Sequence, residues 1–321
     1  MSGSNGIQGL SIHETPIAVL DFETTGLTPG LDRVVEVSVY RLEPGKSPYL
    51  AFDTMINPQR PMSATEIHGI TDDDVANAPT FSEIAGGFID SLSGCVVSAY
   101  NVYFDIKFLD YELQQAGISH SPPHFCLMYM RPMLDLGKRC NLEMACQCHN
   151  IDYKAAHIAA VDAEAATKLM EYYLAILSQK NVNTFGDLAQ LKSYKFLNSF
   201  SLKPLPRALS FNLKKCERFL SRAGFQSSIT IDPERQAVND YWDALRIVVA
   251  DLEVTDDELS SVLHLRKNIQ LPKEKIRMLH AKAFAAAICQ FIDDKWLDDK
   301  ETIKLRKLHK CLSKLGWAPG E

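Results

Sequence analysis

The first half of the chain alternates short apolar runs with segments of helical periodicity. The runs at 17–23, 34–42 and 50–56 are close enough together to predict an antiparallel meander of three β-strands. A fourth strand is predicted at 95–99. Helices are predicted at 81–92, 105–115, 133–139, 142–149 and 161–178. Strands followed by alternating helices and strands favour an α/β domain over 15–178, preceded by a disordered or extended segment at 1–14.

The second half of the chain has a different pattern. Residues 179–235 predict a partly extended connector with one basic amphipathic helix at 212–223, and residues 236–321 predict a smaller all-α domain. Length and hydrophobic content, 321 residues and 46%, are sufficient for two packed cores.

The all-α region contains a repeat with a period of 43 residues, in which Thr255 and Glu258 correspond to Asp298 and Glu301. In each copy a Thr or Asp precedes a Glu by three residues, which is the pattern of a capping box at the start of a helix. An EF-hand calcium loop is the alternative interpretation. It requires a Glu at the twelfth position, where Val262 and Leu305 stand, and a central Gly that is missing.

The cysteine pattern and the first residues bear on localisation. Eight cysteines without a regular framework favour reduced thiols in the cytoplasm. The first fifteen residues are polar, so neither a signal peptide nor a membrane span is predicted. A zinc site at Cys140, Cys146, Cys148 and His149 is disfavoured, because the spacing lacks a C-x2-C knuckle.

The charge is distributed unevenly around a net value of −6. Acidic residues dominate up to residue 177, whereas Lys and Arg dominate from 178 to 222. A protein that binds a polyphosphate must offset the charge of the phosphates. The connector is therefore the predicted anchor for nucleic acid, and truncation after Ser178 is expected to weaken binding of single-stranded DNA and its salt dependence.

Five residues carry the candidate chemistry. Asp21 and Glu23 lie two positions apart at the end of the first strand, so their side chains point the same way while Phe22 points into the core. Carboxylates paired in this way suit hard divalent cations such as Mg²⁺ or Mn²⁺. Asp105 is predicted in the first turn of a helix, and His157 precedes Asp162 by five residues at the start of another.

These segments resemble the motifs of the DEDDh (DnaQ-like) 3′–5′ exonuclease family, in particular the proofreading exonucleases of bacterial replicases. The resemblance covers about residues 15 to 178 and includes Ile67-His68-Gly69. It implies a ribonuclease-H-like mixed sheet flanked by helices and a site with two divalent metal ions. Asp21 would bridge the ions, Glu23 and Asp162 would complete the site of the attacking water, and Asp105 would serve the leaving group. His157 would accept the proton of that water.

The resemblance also implies substrate contacts. Thr24 and Thr25 would hold the terminal nucleotide, Leu27 would wedge against the last base, and His68 and Asn101 would line the site. The alternatives are turn formation for Thr25 and a loop hydrogen bond for Asn101.

The expected function is a 3′–5′ exonuclease that releases nucleoside 5′-monophosphates, with single-stranded DNA 3′ ends as substrate. Proofreading, DNA repair and defence against foreign DNA all remain open. The alternatives are an exoribonuclease that trims RNA ends, and an exonuclease-fold module that recruits partners. The C-terminal helices resemble TerB-like domains, which implies a protein-interaction role for them.

Overall fold

The structure, a computed structural model, describes residues 6–153, 157–213, 219–222, 233–249, 254–289 and 298–317. The chain divides into two compact units. The described residues of the first are 6–25, 33–153, 157–213 and 219–222. Those of the second are 26–32 and the described segments from 233 onward.

A five-stranded mixed sheet forms the centre of the first unit. The strands are β1 Ile17–Thr24, β2 Val34–Leu42, β3 Tyr49–Met55, β4 Val96–Ala99 and β5 His124–Cys126. Their order in the sheet is β3-β2-β1-β4-β5. The first three strands form the predicted antiparallel meander, and β4 and β5 run parallel to β1. The predicted α/β class with a ribonuclease-H-like mixed sheet is confirmed.

Helices pack against this sheet. The helices of this unit are α1 Thr65–His68, α2 Asp72–Val75, α3 Phe81–Leu92, α4 Val102–Gln115, α5 Leu127–Met133, α6 Leu142–Cys148, α7 Ala159–Gln179 and α8 Phe185–Leu191. The long helix α7 lies against β1 and β2, while α3 packs against β2 and β3. Two 3₁₀ turns follow, at Lys195–Ser201 and Ala208–Phe211.

The helix predicted at 133–139 is wrong. The helix in this region, α5, ends at Met133, because Asp135 and Gly137 adopt positive φ values of 62° and 115°. This left-handed conformation cannot continue a right-handed helix. The helix predicted at 212–223 also differs from the structure, since residues 212–213 and 219–222 are not helical. The segment between them lies outside the described residues.

The first unit extends beyond the predicted boundaries of 15 and 178 on both sides. Residues 6–14 form turns rather than an extended segment, and Ile7 and Ile12 are buried. The backbone N–H of Ile12 donates to the Asn183 carbonyl, 2.9 Å away. The N-terminal segment and the connector therefore pack together on the domain that they were expected to flank.

The connector contributes to the core of the first unit. Six of its described apolar side chains are at most 2% exposed: Phe185, Leu188, Phe196, Phe200, Leu205 and Ala208. The hydroxyl of Ser199 hydrogen-bonds both the N–H and the carbonyl of His124 at the start of β5, at 2.9 and 2.8 Å. A segment predicted as a linker is thus an integral layer of the domain.

From residue 233 onward, the described part of the second unit is mainly helical. Its helices are α9 Pro233–Val249, α10 Asp256–Asn268, α11 Lys273–Cys289 and α12 Asp299–Lys314. Thr255 with Glu258, and Asp298 with Glu301, form complete capping boxes at α10 and α12, as the 43-residue repeat predicts. Among the described helices of the chain, none combines the length and the apolar character needed to cross a membrane.

A buried histidine should make the helical unit sensitive to acid. His280 is fully buried, and its Nε2 lies 2.7 Å from the Tyr241 hydroxyl. Burial, and then the positive charge of Arg266, lower the pKa of His280 to about 4. The unfolded chain binds the proton near pH 6.5, so the contribution to stability is complete above that pH and is lost as the pH falls toward 4. We expect a loss of about 2–3 kcal/mol of unfolding free energy.

Tryptophan fluorescence during urea unfolding measures this effect. The three tryptophans of the chain, Trp242, Trp296 and Trp317, all belong to the second unit, so their fluorescence reports on its unfolding. His280→Phe should flatten the pH dependence between pH 7 and 4.5. His264→Ala is the control, because this histidine is exposed on α10. An identical pH dependence in His280→Phe and the unaltered chain would contradict the assignment.

Candidate nuclease site

The site begins at the carboxyl end of β1. Phe22 packs against Phe88 of α3, with 6.0 Å between ring centroids. Strand alternation places Asp21 and Glu23 on the opposite face, and Glu23 stands directly across from Glu36 of β2. The two carboxylates of the first motif therefore share one face, as the sequence predicts.

Asp105 meets β1 between these two residues. It lies in the first turn of α4 and is 2% exposed. Its Oδ1 accepts a hydrogen bond from the backbone N–H of Phe22 at 3.2 Å. Since Phe22 separates Asp21 from Glu23, the third motif carboxylate lies beside the first two.

His157 and Asp162 complete the group. Ligand atoms of Glu23, His157 and Asp162 all lie within 4.8 Å of one another, and the three side chains are buried. Nδ1 of His157 is 3.9 Å from Oε1 of Glu23. Within the described part of the chain, this is the one cluster of three or more His, Cys, Asp or Glu side chains that fits a metal ion.

Local structure around His157 is unusual. Its φ is +43°, a conformation that costs a non-glycine residue about 1 kcal/mol or more. Helix α7 begins two residues later without a side-chain cap from its own N-cap residue, Ile158. Instead, the N–H of Ala159 donates to Oε2 of Glu36 on β2, 3.1 Å away. The hydroxyl of Tyr153 donates to Asp162 Oδ1 at 2.8 Å.

The residues predicted to contact substrate lie in different surroundings. Thr25 is buried in a turn, where its hydroxyl accepts from the N–H of Arg33 and its carbonyl accepts from Ser63. These bonds support the turn-forming alternative for Thr25. Thr24 is also buried, next to Glu23 on β1.

His68 is buried, and its Nδ1 accepts from the N–H of Ile70 at 3.0 Å. Asn101 immediately precedes α4, and its buried Oδ1 receives no hydrogen bond from the described residues. Leu27 is half-buried and belongs to the second unit. Substrate contacts by these residues stay predictions.

The cysteine-rich segment does not form a competing metal site. No cluster that includes Cys140, Cys146, Cys148 or His149 occurs among the described residues. Burial raises the pKa of the Cys146 thiol to about 12, which disfavours the thiolate that zinc requires. The ring of His149 instead lies 4.2 Å from that of Tyr172.

The motif cluster suits a hard divalent cation. Glu23 and Asp162 would repel each other when ionised in a buried position, and a cation among their oxygens removes this repulsion. An imidazole beside them offers a nitrogen ligand or a proton acceptor. The donor set therefore fits the divalent metal ions that the sequence resemblance implies.

Comparisons with known proteins identify the family to which this part of the chain is similar. The family model described as exonuclease, RNase T, matches residues 18–170. The DNA polymerase III subunit epsilon of Haemophilus influenzae is 30% identical over 188 residues, which cover 54% of this chain and 72% of the relative. This chain belongs to the DEDDh exonuclease family.

Two further relatives show how much of the chain the likeness covers. The DNA polymerase III subunit epsilon of Pasteurella multocida is 31% identical over 159 residues, 46% of this chain and 63% of the relative. The PolC-type DNA polymerase III of Lactococcus lactis is 30% identical over 176 residues, but only 11% of the relative is covered. As a member of the DEDDh exonuclease family, the chain is a nuclease, and the likeness is confined to little more than half of it.

Three residues near the site were missed in the sequence analysis: Glu36, Tyr153 and Arg222. Glu36 and Tyr153 carry no motif signature, since each acts through a contact that forms only in the folded chain. Arg222 was counted with the basic connector. In the structure its guanidinium pairs with Glu36, at 2.8 and 2.5 Å.

Proposed function

We propose that this protein is a 3′–5′ exonuclease that hydrolyses DNA, preferably at single-stranded ends, and releases nucleoside 5′-monophosphates. The observation that carries the proposal is the buried group of Glu23, His157 and Asp162, with Asp105 bonded to the strand that bears Asp21. Three separate segments of the chain, the end of β1, the start of α4 and residues 157–162, supply the carboxylates and the imidazole that phosphodiester hydrolysis requires.

The four carboxylates and His157 would have different roles in the hydrolysis. Asp21, Glu23, Asp105 and Asp162 would hold two divalent cations, Mg²⁺ or Mn²⁺. Such a pair, when bound, stabilises the attacking and leaving oxygens of an in-line displacement. His157 would take the proton from the attacking water. Its carbonyl is fixed by Arg222, so the ring enters the cluster from a constrained backbone.

A preference for single-stranded ends follows from burial. Glu23, Asp105, His157 and Asp162 are all buried, so we expect that a terminal nucleotide has to leave its partner strand to reach them. Nothing in the described residues distinguishes a 2′-hydroxyl from hydrogen. RNA ends are therefore the substrate to be tested against DNA.

The proposal is tested with DNA and RNA of equal sequence, each labelled at the 5′ end, with Mg²⁺, with Mn²⁺ or with a chelator. Successively shorter 5′-labelled DNA products and free nucleoside 5′-monophosphates are expected with either metal, and no products with the chelator. Release of the label as a mononucleotide at the first step would contradict the direction. Faster degradation of RNA would favour the exoribonuclease.

The exposed Lys and Arg side chains of the connector should contribute to DNA affinity by neutralising phosphates. Five of them are exposed in the structure: Lys180, which pairs with Asp135, and four others, Lys192, Lys195, Lys203 and Arg207. Replacing these last four by Gln should weaken binding of single-stranded DNA and reduce the slope of log affinity against log salt, by about 0.7 for each phosphate that is no longer neutralised. Fluorescence anisotropy over a salt series measures this slope.

Lys300, Arg306, Lys307 and Lys310, on α12 of the second unit, provide a control with the same number of replaced charges. If this control set lowers the salt slope as much as the connector set does, the connector is not the specific anchor.

The helical unit completes the proposal as a protein-interaction module, in line with its TerB-like pattern. The epsilon subunits named above are subunits of a polymerase, and proofreading is the role suggested by that likeness. Co-purification of the full chain with a replicative polymerase would support proofreading. Activity without such an association would point to repair or to defence against foreign DNA.

A further inference from the structure

A short piece of the connector, residues 219–222, lies along the edge strand β3. The N–H of Met55 donates to the Leu220 carbonyl at 2.8 Å, and the N–H of Leu220 donates to the Thr54 hydroxyl at 3.0 Å. The ring of Phe219 packs edge-on against Phe52, with 5.4 Å between centroids. These contacts fix the backbone that carries Arg222.

Arg222 uses all three of its guanidinium nitrogens. Nε and Nη2 donate to the two carboxylate oxygens of Glu36, at 2.8 and 2.5 Å. Nη1 donates to the carbonyl of His68 at 3.1 Å, and Nη2 also reaches the carbonyl of His157 at 3.3 Å. One side chain therefore links β2 to the backbone of two motif histidines.

Glu36 extends this link to the start of α7. It is fully buried, and its Oε2 accepts from the N–H of Ala159 as well as from Arg222. Asp162 lies three residues further along the same helix. The backbone on both sides of Ile158 is thus held by a single ion pair, which offsets the cost of the positive φ at His157.

The charge of Arg222 also balances the acidic site. Glu36 faces Glu23 across β1 and β2, an arrangement that is unfavourable for two like charges. Burial lowers the pKa of the Arg222 guanidinium, but its hydrogen bonds with Glu36 and the charges of Glu36 and Glu23 raise it on balance. Arg222 therefore stays charged and compensates the carboxylate that lies next to Glu23.

We propose that Arg222 is a positioning residue for the nuclease reaction: it fixes the backbone of His157 and the start of α7, and so sets where the imidazole and Asp162 stand. This inference rests on the proposed role of His157 as general base. It assigns part of the catalytic geometry to a residue 52 positions beyond the end of the family match at residue 170.

Arg222→Lys is the informative change, because it keeps the charge and loses the planar fork that binds Glu36 and the His157 carbonyl together. We expect kcat to fall by about 10- to 100-fold, as is typical of an ångström-scale displacement of a catalytic group, while KM stays within about twofold. Steady-state kinetics on single-stranded DNA measures both.

The chain offers a closely matched control in Arg41, which lies on β2, the strand that also carries Glu36. Its side chain is 14% exposed, against 17% for Arg222. It pairs with Glu43 and donates to the carbonyls of Ser91 and Ser93. It stands opposite Ala18, at the far end of β1 from Glu23. Arg41→Lys should leave kcat unchanged.

A double-mutant cycle separates positioning from general destabilisation. If Arg222 acts through the imidazole, Arg222→Lys should cost little further kcat in a His157→Ala background. Hydrogen exchange of the Ala159 amide should accelerate in Arg222→Lys and not in Arg41→Lys. Both results would support the inference.

Three results would overturn it: a kcat for Arg222→Lys within twofold of the unaltered chain, an equal loss in the His157→Ala background, or unchanged exchange at Ala159. Failure of the proposed function is distinguishable from these. It would appear as an absence of metal-dependent hydrolysis by the unaltered chain, and it would remove the catalytic role of Arg222 as well.

Discussion

Asp162→Asn is expected to lower nuclease turnover by about 10³-fold or more, because the change removes one carboxylate charge from the proposed metal-binding cluster. The substitution is nearly isosteric and leaves an oxygen for the Tyr153 hydroxyl, so the fold should persist. Asp21→Ala should have an equally severe effect. The rate of release of 3′-terminal nucleotides with Mn²⁺ is the measurement.

Glu164→Gln is the matched control for this change. Glu164 lies two residues further along α7, more exposed to solvent, and pairs with Lys168. The substitution removes one charge from the same helix and leaves Glu23, His157 and Asp162 unchanged. Turnover by Asp162→Asn at more than a few per cent of the unaltered rate would contradict the ligand assignment.

Metal binding should also be visible in thermal unfolding. A ligand that binds only the folded state raises the apparent stability, so Mn²⁺ should raise the Tm of the unaltered chain and of Glu164→Gln. Asp162→Asn should lose this shift. Without metal, its Tm should be equal or higher, because one of two mutually repelling buried carboxylates has been neutralised. If Asp162→Asn kept the rise in Tm with Mn²⁺, the metal ion would bind at a different site.

Elements with strong local patterns were predictable from sequence. The strand β2 and the helix α3 begin and end where the pattern places them, at Val34–Leu42 and Phe81–Leu92. Alternation along β1 placed Asp21 and Glu23 on one face without further information. The grouping of Asp105, His157 and Asp162 with them came from the family resemblance, because no local rule joins residues that are 82 to 141 positions apart.

Other features depend on contacts that have no local signature. Strand β5 is three residues long and owes its place to pairing with β4. The pair of Glu36 and Arg222 spans 186 positions. A basic connector residue is ordinarily interpreted as solvent-exposed, and only the folded chain shows that Arg222 donates to the carbonyls of His68 and His157. The same limitation made residues 182–213 look like a linker.

Truncation after Ser178 is consequently expected to destroy the fold rather than to weaken DNA binding alone. It would remove Phe185, Phe196, Phe200 and Leu205, each at most 2% exposed. At about 1.5–3 kcal/mol for each buried side chain, the loss is about 6–12 kcal/mol, comparable with the total stability of a typical domain, about 5–15 kcal/mol. It would also remove Arg222 and leave Glu36 as an uncompensated buried charge.

A chain that ends at Ile229, where the first unit ends, should retain a cooperative unfolding transition and nuclease activity. Circular dichroism during urea unfolding, together with the exonuclease assay, compares the two truncations. A folded, active product from the shorter one would show that the connector is dispensable and would remove the structural basis of the Arg222 inference.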